Sequence, residues 1–488
     1  MRYWSTWHCC KRAMRIYLVV GCVVTASLAQ AQEEQIYDQQ ITFLARSFKD
    51  ISNVEREKFL GDYLQKEGFT LVSALPATTE QKGVSENVNR IFVPRNPSEK
   101  LFSLGGKQFS LCDSFVLGVV QINDGKVDAA TLERLEDALQ RVQEDTGFSV
   151  FGVDGEGAHN DMSTITSGAS QDAFLKAVTF PDENGKLPYS EQGNGTMIAI
   201  LDTGVSTNKI NLSAFQVDLI DVDDTAEDVY EDYMNGSSMN KGHGTPIALV
   251  ANMVAPAAEI LPIRVCNGDG QCPMSSVAIG ICYAVNVAAQ AEGTKNLVMN
   301  MSFSSLVREG FNPKDTLLYK LLDQVISPRV LVASEVGNKG LDLTPRYPAA
   351  FSNEGLDGLL STSGLEPYGE GSWHYVPAYY STRGTYIDVA ALGSNLFVGQ
   401  HVVGDNNYDG GYSGSSFATP WVAGTLALLQ EANLSRSPAQ PLAPWEIEYC
   451  LKSTAQPPMP PVISPLEVGS GMLNIAGAIN CVKTFVKP

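Results

Sequence analysis

Thr196-Met197-Ile198-Ala199-Ile200-Leu201-Asp202-Thr203-Gly204 runs an unbroken apolar stretch into a carboxylate and then a glycine turn. A short β-branched run without polar alternation is what a strand covered on both faces looks like, as in a parallel sheet. Moving outward, similar runs alternate with helical patterns: Gly244 to Met253, Ile260 to Val265, Ser275 to Ala289, Leu297 to Met301, Thr316 to Val325 and Val330 to Ala333. Such alternation predicts an α/β unit with a doubly wound, mostly parallel central sheet. No repeat with a period of about 20–50 residues is visible, which argues against solenoids and propellers.

Open α/β sheets place ligand sites at the carboxyl ends of their strands, so polar residues that follow apolar runs are the first candidates. Asp202 is one, although a strand-ending Asp also serves as a turn former or helix cap. Lys241-Gly242-His243-Gly244-Thr245 sets a His between glycines at the start of an apolar helix. The chain has only 5 His; His8 lies in the N-terminal stretch read below as a leader, while His159, His374 and His401 sit in polar, loop-like contexts that suit solvated surface positions. Gly414-Ser415-Ser416-Phe417-Ala418-Thr419-Pro420 opens an apolar helix reaching about Gln430. A Ser there is either an ordinary N-cap or a nucleophile beside N–H groups that can hold an oxyanion.

Taken together, Asp202-Thr203-Gly204, Gly242-His243-Gly244-Thr245 and Gly414-Ser415-Ser416-Phe417-Ala418-Thr419-Pro420 resemble the three signature blocks of the subtilisin family of serine proteases, in the family's order Asp, His, Ser. Asn300-Met301-Ser302, Gly337-Asn338, Arg346-Tyr347-Pro348-Ala349, Tyr380-Ser381-Thr382-Arg383-Gly384 and Gly469-Ser470-Gly471-Met472-Leu473-Asn474 resemble further family segments, so the likeness covers roughly 188–488. The resemblance implies a subtilisin-type fold and a serine endopeptidase with Ser416 as nucleophile, His243 as general base and Asp202 orienting it. It also implies an oxyanion hole made by the Asn338 side chain and the Ser416 backbone N–H. Ser416, rather than Ser415 or Ser413, is selected by motif alignment alone. By the same resemblance Gly270-Gln271-Cys272 and Ser302-Phe303-Ser304 flank an extended peptide substrate, which pairs by strand addition. Ser304 replaces the usual Gly, so the primary pocket is smaller or more polar. Glu335 replaces a small residue: turned inward it favours basic substrates, turned outward it is a solvated side chain.

Two alternatives bear on the reading. A sedolisin-like carboxyl peptidase replaces the His base by Glu and the oxyanion Asn by Asp, which His243 and Asn338 contradict. A binding or chaperone-like protein that kept the fold but lost catalysis is suggested by the unusual Pro246, Ser304, Glu335 and Trp421, and opposed by the intact triad.

Lys11, Arg12 and Arg15, the apolar run Ile16 to Leu28 and then Ala29-Gln30-Ala31 form the layout of a cleavable secretory leader, residues 1–31. The run is shorter than the ~20 residues that a spanning helix needs, so no stable membrane span is expected. Val19-Val20-Gly21-Cys22 leaves lipidation at Cys22 as a second export route. The formal charge of -20 speaks against nucleic acid, whose binding needs clustered Lys and Arg. Residues 32–187 read as a polar, helix-rich N-terminal region holding a small α+β unit: strand-like Phe115 to Ile122, helical Ala129 to Val142 and strand-like Phe148 to Val153. This region occupies the place of the family's inhibitory pro-region, and the boundary to the catalytic domain, 188–488, is expected near 187. Beyond the leader stand Cys112, Cys266, Cys272, Cys282, Cys450 and Cys481, an even set that suits disulfides in an exported protein. Cys266 with Cys272 and Cys450 with Cys481 are the attractive pairs by nearness, with buried thiols the alternative. The acidic run Asp221 to Asp232 has oxygen ligands enough for Ca²⁺ but no calcium-specific spacing, so no metal site or cofactor is expected.

Overall fold

The computed structural model describes residues 171–486 apart from 206–208, 211, 221–241, 268–269, 292–294, 308–310, 369–373, 398–400, 404–405, 409–410, 437–440 and 458–462, together with short pieces within 40–159. The leader, Cys112 and the acidic run 221–232 lie outside the described residues.

In the N-terminal region, β1 (Gln40–Ser47), β2 (Thr70–Pro76), β3 (Phe115–Gln121) and β4 (Phe148–Asp154) form an antiparallel sheet in the order β2-β3-β1-β4. β3 and β4 fall where the apolar runs place them; β1 and β2 are strands beyond those expected, and Arg134, Leu135 and Ala138 are helical within the expected stretch Ala129 to Val142. A two-residue strand, β5 (Ala158–His159), and helix α1 (Gln171–Thr179) follow.

The larger unit is built on β6 (Thr196–Asp202), β7 (Val217–Asp218), β8 (Glu259–Arg264), β9 (Gln271–Cys272), β10 (Asn296–Met301), β11 (Val330–Glu335), β12 (Leu359–Tyr368), β13 (His374–Pro377) and β14 (Val389–Leu392). Its sheet runs β13-β12-β11-β10-β6-β8-β7, with β14 also on β12. All these pairings are parallel except β12 with β13. His159, His374 and His401 lie in short strands rather than in loops.

Every residue of β6 is buried, and its alternation shows why a continuous apolar run is needed. Met197, Ala199 and Leu201 join the core beneath α3 (Met274–Gln290) and α4 (Leu317–Val325), while Ile198 and Ile200 join the core beneath α2 (Gly244–Val254) and α5 (Ser415–Leu434). Burying each Met, Ile or Leu side chain of this strand contributes about 1.5–3 kcal/mol. The C-terminal helices α6 (Pro444–Ser453) and α8 (Ile475–Thr484), with the short α7 (Pro465–Val468) between them, close the second core. Disulfides Cys266–Cys272 and Cys450–Cys481 are formed, and Cys282 is disulfide-bonded as well.

Phe174 and Val178 of α1 are fully buried in the core of the larger unit. The Phe174 ring meets Tyr375 and Trp421 edge-on at 4.9 and 4.8 Å. That core therefore extends upstream of residue 187. The loop leading into β6 is pinned from the far end of α5, where Glu431 Oε2 accepts the N–H groups of Gln192, Gly193 and Asn194 at 2.7, 2.7 and 3.0 Å.

Candidate active site

β6 delivers Asp202 to its carboxyl end, and there Asp202 Oδ1 lies 2.7 Å from Nδ1 of His243. The same oxygen accepts from the Thr203 N–H at 2.8 Å and the Thr203 hydroxyl at 3.1 Å. Thr203 Oγ1 in turn accepts the Gly244 N–H at 3.0 Å, so strand end and helix start are tied twice. Gly244 is required by this approach: a Cβ there would stand 2.0 Å from the Gly204 carbonyl oxygen. Asp202 and His243 are 0% and 3% exposed. A carboxylate at Nδ1 fixes the neutral imidazole with its proton on that nitrogen, leaving Nε2 as the basic one.

His243 precedes α2 and Gly414 precedes α5, and neither helix start carries a capping side chain from that residue. By contrast, α4 and α8 are capped by Thr316 and Asn474. Ser416 is thus not an N-cap; it is the second residue of α5, inside the turn whose N–H groups await other acceptors. One of them, the Ser415 N–H, donates to Asn338 Oδ1 at 2.7 Å, and the Ser415 hydroxyl reaches the same oxygen at 3.0 Å. With Oδ1 committed, the Asn338 amide nitrogen is turned the other way.

Ser302, just past β10, donates its hydroxyl to the Ser416 carbonyl at 2.8 Å and accepts from Asn300 Nδ2 at 2.9 Å. Phe303 is fully buried in the core, so of this residue only the main chain can meet a substrate. Ser304 is 8% exposed, and its hydroxyl lies 3.3 Å from where a Cβ on Gly337 would stand. Cys272 is buried in its disulfide, and β9 pairs antiparallel with β5, Gln271 opposite His159 and Cys272 opposite Ala158. Asn267 Oδ1 accepts from the Gln271 N–H at 2.9 Å, and the chain reverses at Gly270.

Glu335 overturns the solvated reading: it is fully buried, and its Oε2 accepts from the Ser416 hydroxyl at 2.5 Å and lies 3.2 Å from the Ser415 hydroxyl. The period of two could have shown this. Leu331 and Ala333 face the α5 core, so Glu335 at the end of the same strand faces it too. The ties made by Thr203 to Asp202 and Gly244 and by Ser415 to Asn338 are roles that nothing in their local composition marks out.

Comparison with known proteins settles the family. The sequence pattern of the subtilase family matches residues 193–474, more than half of the chain. The chain belongs to the subtilase family. The family's members are serine endopeptidases, and this subtilase is one by that membership. It is 30% identical to thermitase from Thermoactinomyces vulgaris over 259 residues, which is 50% of this chain and 78% of thermitase. It is 25% identical to subtilisin E from Bacillus subtilis over 404 residues, 79% of this chain and 91% of that protein. Among solved structures, fervidolysin from Fervidobacterium pennivorans, described as a keratinolytic enzyme related to subtilisin, matches with a TM-score of 0.53 at 16% identity. That match covers 91% of this chain and 61% of the fervidolysin chain and bears on the fold alone.

Proposed function

We propose that this subtilase is an exported endopeptidase that cleaves peptide bonds with Ser416 as nucleophile, His243 as general base and Asp202 as the orienting carboxylate. The 2.7 Å contact of buried Asp202 with His243 Nδ1 carries the reading. In it, His243 Nε2 takes the Ser416 proton as Oγ attacks the substrate carbonyl, and Asp202 stabilises the imidazolium. The oxyanion is met by the Asn338 amide and the Ser416 N–H. His243 then hands its proton to the leaving amine, and water hydrolyses the acyl-enzyme by the reverse relay.

The substrate is a protein or peptide in extended form, paired between β9 and the main chain at Ser302-Phe303-Ser304. The N-terminal region acts as an inhibitor of its own catalytic domain, which is supported by β5 lying antiparallel on β9, the edge assigned to substrate. The match to subtilisin E also spans more of the chain than the stretch from 188 onward holds. The catalytic domain starts ahead of α1, because Phe174 is part of its core. Export rests on the leader at 1–31 and agrees with the disulfides. Among the described residues no helix is long and apolar enough to cross a membrane.

A casein and peptide-library digest by purified wild type, Ser416→Ala and His243→Ala tests the reading. Internal cleavage by the wild type, at least about 10³-fold faster than by either variant, is expected. Equal cleavage by all three would contradict it. The Ser416–Glu335 hydrogen bond favours a second reading, a subtilase with weak catalysis, and leads to the inference below.

A further inference from the structure

We propose that Glu335 is a brake on the nucleophile, holding the Ser416 hydroxyl proton away from His243 in the resting enzyme. The inference rests on the reading of Ser416 as nucleophile. A serine hydroxyl carries one proton and can give it to one acceptor at a time. Here it is given to Glu335 Oε2 at 2.5 Å. General-base catalysis requires that same proton to pass to His243 Nε2 as the Oγ–carbon bond forms. So the Ser416–Glu335 bond must open before attack.

Three features hold the carboxylate in place. Glu335 ends β11 with its side chain on the α5 face of the sheet, as the strand period dictates. It meets the first turn of α5, a 20-residue helix whose N-terminus carries partial positive charge. The Ser415 hydroxyl offers it a second donor at 3.2 Å and has Asn338 Oδ1 at 3.0 Å as an alternative acceptor. That last arrangement matters for release. When Glu335 lets go of Ser416, Ser415 keeps Asn338 oriented, so the brake opens without dismantling the assigned oxyanion donor. Opening a buried hydrogen bond before attack adds to the barrier, so losing it should show in a rate.

The test is the second-order rate at which an alkyl fluorophosphonate labels Ser416, read by intact mass in wild type, Glu335→Gln, Glu335→Ala and Ser416→Ala, each first cut by limited proteolysis ahead of α1 so that the core residues Phe174 and Val178 are kept. Gln keeps the shape of Glu with a weaker, uncharged acceptor, and thermal unfolding of each variant reports whether it is folded. If Ala leaves the protein unfolded, the Gln variant decides alone. The brake predicts labelling about tenfold faster in Glu335→Gln than in wild type, and faster still in Glu335→Ala. Labelling of the wild type at a rate equal to or above that of the folded variants would overturn the brake while leaving the peptidase reading in place. Folded protein that is labelled in no variant would remove the peptidase reading and the brake with it.

Discussion

Asn338 Oδ1 is held by the Ser415 backbone N–H at 2.7 Å, and the Ser415 hydroxyl, 3.0 Å from the same oxygen, can add a second bond whenever its proton is not given to Glu335 Oε2 at 3.2 Å. An amide fixed this way presents its N–H₂ group without having to reorganise during the reaction, which is where such donors gain their effect. Replacing Asn338 by Ala is expected to lower kcat by roughly 10²–10³ with KM little changed. Ser415→Ala leaves the backbone N–H and should fall well short of that loss. Steady-state kinetics on one chromogenic peptide separates these results; a rise in KM alone for Asn338→Ala would point to a role in ground-state binding.

The burial of Phe174 against Tyr375 and Trp421 makes α1 part of the catalytic body. Phe174→Ala should lower stability by about 3–5 kcal/mol, the usual range for truncating a buried aromatic. Urea unfolding of protein lacking the β1–β4 region checks this. A loss below about 1 kcal/mol would return the boundary to residue 187.

Glu448 and Asp388 share Lys452, whose ammonium reaches Asp388 Oδ1 at 2.7 Å and Glu448 Oε1 at 3.1 Å. Burial, followed by the nearby Asp388 charge, pushes the Glu448 carboxyl up from 4.5 to about 7. The unfolded chain ionises this group near 4.5 and the folded one near 7, so between those values the folded state binds more protons and stability falls as pH rises. Below about 4.5 its favourable contribution is complete; above about 7 it is lost. Glu448→Gln should flatten the slope of unfolding free energy against pH across that window. An unchanged slope from denaturant melts at several pH values would show that another group carries it.

Much of the catalytic unit was legible because its signals are local. The runs at Thr196–Leu201, Leu297–Met301 and Val330–Ala333 are strands and the Ser275–Ala289 pattern is a helix, each within a residue or two of its observed ends. Asp202, His243 and Ser416 announced themselves by turn glycines and by their order. What escaped depends on distant parts of the chain. β1 and β2 are defined by pairing with β3 across long separations, and the β5–β9 pair joins residues more than a hundred positions apart, which no window of sequence contains. The core role of Phe174 arises from Trp421, far along the chain. Glu335 is the instructive case. Its residue type argued for solvent, its strand parity argued for the α5 face, and the serine donors at that helix start decided between them.

The most direct test is to treat wild type and Ser416→Ala with a fluorophosphonate after removal of the N-terminal region and to map the modified residue by peptide mass spectrometry. The account predicts a single adduct on Ser416 in the wild type and none in the variant. An adduct on Ser415 or Ser413, or no adduct on folded wild-type protein, would contradict the assignment of the nucleophile.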